Sequence, residues 1–62
     1  MAGVAYLEAR TEARGFSGFR LRWRWRQLQR DRDQLDHAGV AALRAFGDEI
    51  EDRGLQVPEA GR

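Results

Sequence analysis

The chain has 62 residues, of which 42% are hydrophobic and 34% charged, and its formal net charge is +1. A chain of this length forms at most one domain and buries only about 60% of the surface exposed on unfolding, so its stability is marginal without a disulfide, a metal or a second subunit. The absence of cysteine excludes disulfides and thiolate metal sites, and a zinc site built on the single histidine, His37, needs carboxylates for its other ligands.

The run VAYLEARTEAR, residues 4–14, permits two interpretations. Its content of Ala, Glu, Leu and Arg favours a helix, whereas its alternation fits a strand with alanines on one face. We choose a strand over residues 4–13, because a turn at 14–18 then brings Glu8 and Glu12 opposite arginines of the next element. Each such cross-strand pair stabilises the sheet by about 0.2–1 kcal/mol. The GFSG sequence within the predicted turn is typical of turns, since glycine adopts positive φ without strain.

The run FRLRWRWRQ alternates strictly between apolar side chains and arginines. A period of two with aromatic residues is typical of a half-buried strand. A helix would scatter the arginines around its axis. The sequence therefore predicts a strand over residues 19–27, with room for a short third strand near 26–30. Its apolar face comprises Phe19, Leu21, Trp23 and Trp25, and its opposite face comprises Arg20, Arg22, Arg24 and Arg26.

The next predicted element is a helix over residues 33–53. Asp31 or Asp33 suits its N-cap. Gly54 stands where a left-handed residue ends a helix, which lets Leu55 fold back on the last turn. The face predicted to be buried comprises Leu35, Gly39, Ala42, Leu43, Phe46 and Ile50.

Two features of this helix require partners. Gly39 and Gly47 each destabilise the helix by up to about 1 kcal/mol relative to alanine. Their presence therefore predicts a close approach by another backbone. The acids of the GDEIED segment gather at the negative end of the helix dipole. Arg53 compensates Glu49 at i,i+4, and we expect arginines within 20–32 to compensate the others, from this subunit or another.

Together these elements predict an α+β fold. A hairpin or meander of two antiparallel strands, with the third strand as a variant, packs against one C-terminal helix. A single domain covers residues 1–58, and residues 59–62 form a flexible tail. The side chains expected to be buried against one another are Trp23, Trp25, Leu43 and Phe46.

The arginine face of the second strand is the candidate partner-binding site. Its arginines stand about 6.5–7 Å apart, from a strand rise of about 3.3 Å per residue, and guanidinium suits bidentate contacts with phosphate or carboxylate. Two-stranded ribbons enter DNA grooves, so this face suits binding to nucleic acid. The alternative interpretation is that the arginines belong to an exposed edge strand, where their charge prevents pairing with strands of other chains. Phe16, at the tip of the turn, is a wedge, a partner anchor or a core residue. The candidate site comprises Arg20, Arg22, Arg24, Arg26 and Phe16.

The sequence offers no catalytic site, metal site or cofactor motif. His37 has no cysteine partner, and Ser17 lies in a turn rather than at a strained strand-to-helix elbow. The GDEIED segment lacks the alternating ligands and central glycine of a calcium loop, and GFSG is too short for a phosphate-binding loop. We expect a protein that is not an enzyme and holds neither metal nor cofactor.

Charge is segregated along the chain. Residues 10–32 carry eight arginines against two acids, a balance of +6, whereas residues 33–62 carry three arginines against seven acids, a balance of −4. This asymmetry predicts a basic working surface beside an acidic one. The alternative is that the two halves neutralise each other within the fold or across a dimer.

The predicted order of hairpin, helix and RGLQVP segment resembles HicB-type antitoxins, whose truncated RNase H-like domain runs strands, helix, then a tail of Gly-x-x-(Ile/Val)-Pro type. GFRLRW corresponds to the second strand, residues 35–53 to the helix and 54–58 to the tail, so the resemblance covers most of the chain. The Asp-Leu-Pro-Gly segment of that family is replaced by WRQLQRDR. The resemblance is one of layout and implies an antitoxin-like regulator.

Two functions are compatible with the sequence. The first is a small binding or regulatory module whose arginines contact a nucleic acid or an acidic protein. The second is a phage-type inhibitor that blocks a host protein complex through Arg, Trp and Phe anchors, residue types that are enriched in interface hot spots. Lacking a covalent staple, the chain is expected to form a homo-oligomer or to bind a partner protein. No apolar run approaches the roughly 20 residues of a membrane span and no signal peptide is visible, so we expect a cytoplasmic protein without membrane contact.

Overall fold

The structure, a computed structural model, describes residues 3–55 and contains three helices joined by short connections. Helix α3 packs against both of the other helices. The elements in chain order are α1 at Gly3–Arg14, α2 at Gly18–Arg30, a 3₁₀ turn at Arg32–Gln34 and α3 at His37–Arg53.

The predicted α+β fold is wrong, because residues 3–55 contain no strand and form a small all-α fold. The predicted strand over 4–13 is helix α1, and the predicted strand over 19–27 is helix α2, which also covers the short strand expected near 26–30. The chain does turn between these two elements, but the turn joins two helices rather than the strands of a hairpin.

The segment FRLRWRWRQL, residues 19–28, forms a helix because three of its apolar residues also fit a helical period. Leu21, Trp25 and Leu28 lie at i, i+4 and i+7 and face the core, with both leucines buried and the indole partly buried. Arginine is a favourable helix former. Ser17 caps α2, since its hydroxyl accepts a hydrogen bond from the backbone N–H of Arg20 at 3.3 Å. The helix satisfies its backbone within itself, so no partner strand is needed.

Because α2 has the helical period and not the strand period of two, Trp23 faces solvent and not the core. Its side chain was expected in the core, but it is 55% exposed, so that prediction is wrong. The other three members of the expected cluster do belong to the core: Phe46 is buried, and Trp25 and Leu43 pack against it.

Helix α1 has the composition that favoured a helix over a strand for this segment. Ala9 and Ala13, four residues apart, face the core, and Ala13 is fully buried. Their small side chains let α1 approach α3 closely. Glu8 and Glu12 are exposed, and no ion pair joins them to any residue between 3 and 55, so the expected cross-strand pairs with arginines are not formed.

Helix α3 begins four residues later than predicted. Its N-cap is Asp36, whose carboxylate accepts a hydrogen bond from the backbone N–H of Gly39 at 2.8 Å; neither Asp31 nor Asp33 caps this helix. Leu35 lies over Gly39, where a Cβ atom would stand 2.9 Å from the Cβ of Leu35. Gly39 therefore accommodates a neighbouring side chain and not another helix backbone.

Helix α3 ends at Arg53 with Gly54 as its cap, as predicted. Gly54 has a φ of 71°. Its N–H donates to the carbonyl of Glu51 at 3.0 Å, and the N–H of Leu55 donates to the carbonyl of Ile50 at 3.1 Å, which together form a Schellman motif. Leu55 then packs against the core. The tail predicted at 59–62 lies outside the described residues.

The core lies where α3 crosses the other two helices. Phe46, Leu21 and Ile50 are its largest fully buried side chains. The remaining members of the helix face predicted to be buried pack against this cluster, apart from Gly39 beneath Leu35. Gly47 provides space for Trp25, whose indole Nε1 would stand 3.1 Å from a Cβ at that position. The close approach expected at Gly47 is thus made by a side chain.

Candidate binding face of the second helix

The solvent side of α2 carries two exposed aromatic rings. Phe19 is 73% exposed and Trp23 is 55% exposed. They are separated by four residues and so lie on the same side of the helix, about one turn apart. Arg30 continues the same line toward the C-terminus of α2, since it follows Trp23 by seven residues.

The arginines of α2 surround this aromatic pair instead of forming a single row. Successive residues of a helix turn by about 100° around its axis. Arg20 and Arg24 lie on one side, rotated by about 80–120° around the helix axis from the midpoint of the two rings. Arg22 and Arg26 lie on the other side, rotated by about 40–80° from the same midpoint. We call the surface formed by residues Phe19, Arg20, Arg22, Trp23, Arg24, Arg26 and Arg30 the arginine–aromatic face.

Three of these arginines are available to a partner. Arg24, Arg26 and Arg30 are exposed, and no ion pair or side-chain hydrogen bond engages them within residues 3–55. The guanidinium of Arg20 lies over the ring of Phe16, 5.6 Å from its centroid. Arg22 is half-buried at the edge of the face.

The charge of α2 is unfavourable for an isolated helix. The helix contains no acidic residue, and its first turn, where the dipole favours acids, contains none. Like charges four residues apart destabilise a helix by about 0.2–0.5 kcal/mol per pair. Three such pairs occur here: Arg20 with Arg24, Arg22 with Arg26, and Arg26 with Arg30.

Phe16, predicted to be a partner-binding residue, lies in the core rather than on the face. Its ring packs edge-on against Phe46 at a centroid distance of 5.3 Å and an interplanar angle of 84°. Phe16 is thus partly buried, packs against the core and supports the guanidinium of Arg20, and its role in partner binding stays a prediction.

The exposure of Phe19 and Trp23 differs from the sequence prediction, which placed both side chains on a buried strand face. The sequence does contain a signal for this exposure, because Leu21, Trp25 and Leu28 form a complete apolar stripe at helical spacing. With that stripe inside, the remaining two aromatic residues of α2 have to face outward.

A second charged cluster joins α1 to α3. Glu49, only 8% exposed, accepts hydrogen bonds from Arg53 Nε at 2.9 Å and from Arg10 Nε at 3.1 Å. Arg10 also pairs with Asp52 and donates to the Tyr6 hydroxyl at 2.7 Å. The expectation that arginines 20–32 compensate the acids of the GDEIED segment is wrong for these contacts, since Arg10 supplies the charge. The i,i+4 pairing of Arg53 with Glu49 is confirmed.

The pKa values in this cluster follow from its hydrogen bonds. The pKa of Glu49 is lowered, first by the hydrogen bond from Arg53 and then by that from Arg10. The pKa of Arg10 is raised, chiefly by its hydrogen bond to Glu49. Both groups stay charged at neutral pH, and no buried side-chain nitrogen or oxygen in the described chain lacks a partner. The cluster therefore joins helices and leaves no unsatisfied group for chemistry.

A cleft of about 810 Å³ lies between the N-terminal parts of α1 and α3. The carboxylate in its lining, Asp48, accepts a hydrogen bond from the hydroxyl of Tyr6. Within residues 3–55, no group of three or more His, Asp or Glu side chains is arranged to hold a metal ion. The cleft is lined by Gly3, Ala5, Tyr6, His37, Val40, Ala41, Arg44 and Asp48.

None of the helices described between residues 3 and 55 is long and apolar enough to cross a membrane.

Comparisons of the whole chain with protein-family models, curated proteins and solved structures find no match. The layout resemblance to HicB-type antitoxins fails on the fold, because that layout needs strands where this chain forms α1 and α2.

Proposed function

We propose that this protein is a non-enzymatic module that binds nucleic acid through the arginine–aromatic face. The observation that carries the proposal is the exposure of Phe19 and Trp23 beside Arg24, Arg26 and Arg30, which form no ion pair within residues 3–55. The non-enzymatic character rests on the sequence, which contains no cysteine and a single histidine. A cytoplasmic location stays a prediction from the sequence.

The energetics of α2 support a bound polyanion. The helix contains three repulsive arginine pairs and has no acid in its first turn. A phosphate backbone supplies negative charge at close intervals and converts these repulsions into favourable contacts. Guanidinium is the group best suited to phosphate, because its fork of donors matches the phosphate oxygens.

The test compares two double variants that remove the same charge. Arg24→Gln with Arg26→Gln removes charge from the face, and Arg14→Gln with Arg44→Gln removes it from exposed positions on α1 and α3. Affinity for labelled single-stranded and duplex oligonucleotides is measured as a function of salt. Each lost phosphate contact reduces the salt slope by about 0.7 for single strands or 0.9 for duplex DNA.

We expect the face variant to lose affinity and about 1.4–1.8 of the slope, while the control variant stays close to the parent. Circular dichroism checks that both variants retain their helices. Equal losses in the two variants would contradict a dedicated face, and no binding by the parent at low salt would overturn the function.

A second candidate function is a protein-blocking factor, which includes the phage-type inhibitor. The exposure of Phe19 and Trp23 favours it, since aromatic residues and arginine dominate interface hot spots. A shallow dependence of affinity on salt, with a large loss on Trp23→Ala, would distinguish this function from nucleic-acid binding.

A further inference from the structure

We infer that the nucleic acid bound by the arginine–aromatic face is single-stranded, and that its unpaired bases stack on Phe19 and Trp23. The inference rests on the proposed function and narrows its ligand class.

The spacing of the two rings suits consecutive or nearly consecutive bases. Four residues of helix advance by about 6 Å along the axis, so the rings stand side by side on one surface. Every base has a π face, and stacking on an aromatic side chain therefore accepts any sequence. In a duplex both faces of each base are covered by neighbouring pairs, whereas unpaired bases can be splayed out onto a protein ring.

The arginines are placed to hold the backbone of such a strand. Arg20 and Arg24 flank the rings on one side and Arg26 on the other, so a strand crossing the rings meets a guanidinium before and after its stacked bases. Arg24 and Arg26 are free of ion pairs within the described residues, so phosphate contacts there displace no internal partner. A charged groove combined with stacking rings is the usual design of single-strand binding without sequence preference.

Duplexes fit this face less well. The major groove of A-form RNA is too deep and narrow for side chains to read. In B-form DNA a helix enters the major groove, but base reading relies on polar side chains directed at the groove floor. On α2 the centre of the face is occupied by Phe19 and Trp23 instead, and the arginines lie at its flanks and its C-terminal end.

Tryptophan emission provides a direct readout of stacking. Trp23 is exposed, whereas Trp25 is partly buried beside Gly47, so a ligand on the face should quench the first and spare the second. Three probes of equal length are compared: an oligothymidylate of about 15 nucleotides, near the upper limit of common site sizes, an abasic phosphodiester strand, and a duplex.

We expect the oligothymidylate to quench emission and to bind more tightly than the abasic strand or the duplex. Phe19→Ala and Trp23→Ala should each weaken its binding by about 5- to 150-fold, the range for loss of one base stacked on an aromatic side chain. Trp23→Phe should restore most of the affinity. Leu7→Ala removes an exposed hydrophobic side chain of similar accessibility, 63%, from α1 and should leave affinity unchanged.

The outcomes separate this inference from the proposed function. If the abasic strand binds as tightly as the oligothymidylate, or if the duplex binds more tightly, base stacking is wrong and nucleic-acid binding stands. If none of the three probes binds at low salt, both fail. If Leu7→Ala loses as much affinity as Trp23→Ala, the rings of α2 are not the binding surface and the inference is wrong.

Discussion

Arg53 donates a hydrogen bond from Nε to the Glu49 carboxylate at 2.9 Å, one helical turn earlier on α3. The other two nitrogens of the same guanidinium reach α1 and the turn after it, where they donate to the carbonyls of Ala13, Arg14 and Phe16 at 2.8–3.1 Å. Because the last carbonyls of a helix have no partner within it, Arg53 caps α1 from another helix. Arg53, held in place by Glu49, thus joins the C-terminal end of α3 to the C-terminal end of α1.

Folding stability is predicted to depend on the ionisation of Glu49. Its pKa in the folded protein is lowered by Arg53 and Arg10, so its contribution is fully present above its unfolded pKa of about 4.3. This contribution is lost as the pH falls from there through the lowered folded value. Thermal melting between pH 7 and pH 3 should therefore show a drop that is smaller in Glu49→Gln, and Glu49→Gln should melt lower than the parent at pH 7.

The matched control for this prediction is Glu51→Gln. Glu51 is exposed on the same helix and forms no ion pair within the described residues. It should keep the pH dependence of the parent. An identical pH profile for Glu49→Gln and Glu51→Gln would contradict a stabilising role of Glu49.

Arg53→Lys tests the shape of the cap separately from its charge. Lysine keeps the positive charge but lacks the planar fork that reaches Glu49 and the end of α1 together. We expect a loss of about 1.5–3 kcal/mol in the free energy of unfolding, the range for hydrogen bonds to charged groups, measured by urea unfolding. Arg44→Lys, at an exposed position of α3, should change stability by less than about 0.5 kcal/mol. If the two variants unfold alike, Arg53 acts only as a charge.

The sequence was least predictive where one pattern fits two periods. In FRLRWRWRQ a period of two places every apolar residue on one face, whereas a helix places only Leu21 and Trp25 on the core face, which Leu28 then continues. The deciding information is long-range, because Trp25 packs over Gly47 and Leu21 packs with Phe46 on α3. A strand would have needed a paired partner, and residues 4–14 had a composition that already favoured a helix.

Local signals were read correctly at the end of α3. The left-handed Gly54, the return of Leu55 and the pair of Arg53 with Glu49 all depend on residues within one or two turns. That the candidate arginines bind a partner stays a prediction, and their arrangement around α2 was not foreseen, because it follows from the helical period. The role of Arg10 was missed, since its partners on α3 are about forty residues away in the sequence.

Phe46→Ala is predicted to cost about 3–5 kcal/mol, a large part of the stability of so small a domain. Phe46 is 1% exposed and contacts the ring of Phe16 edge-on. Urea or thermal unfolding measures the loss, and Val40→Ala, at an exposed position of α3, is the control expected to change little. A Phe46→Ala protein that melts like the parent would mean that α3 does not bury this face.

Gly39→Ala is predicted to destabilise α3, although alanine is the better helix former by up to about 1 kcal/mol. A Cβ at this position would stand 2.9 Å from both Cβ and Cδ2 of Leu35 and 3.3 Å from the capping carboxylate of Asp36. Overpacking of this kind costs about 1–3 kcal/mol, which exceeds the gain. Gly3→Ala, where no atom of the described residues outside the local backbone lies within 4 Å of the added Cβ, should show no such loss. A rise in melting temperature for Gly39→Ala would contradict the contact with Leu35.

The chain is predicted to self-associate at micromolar concentration. Within residues 3–55 the buried core contains six hydrophobic residues, two of them alanines, and the cysteine-free sequence has no disulfide to reinforce it. Large hydrophobic side chains remain exposed, including Val4 and Leu7 on the outer side of α1 at 62% and 63%. Burying such surface against a second copy favours association, and association stabilises the folded state, so the melting temperature should rise with protein concentration.

Sedimentation velocity over a hundredfold range of concentration, with thermal melting of the same samples, measures this association. Val4→Ser with Leu7→Ser should weaken it if α1 forms the interface, and Phe19→Ser with Trp23→Ser should do so if α2 forms it. The second pair also changes the proposed nucleic-acid face, so oligothymidylate should compete with self-association in that case only. A monomer whose melting temperature is independent of concentration would show that the three helices of residues 3–55 are sufficient by themselves.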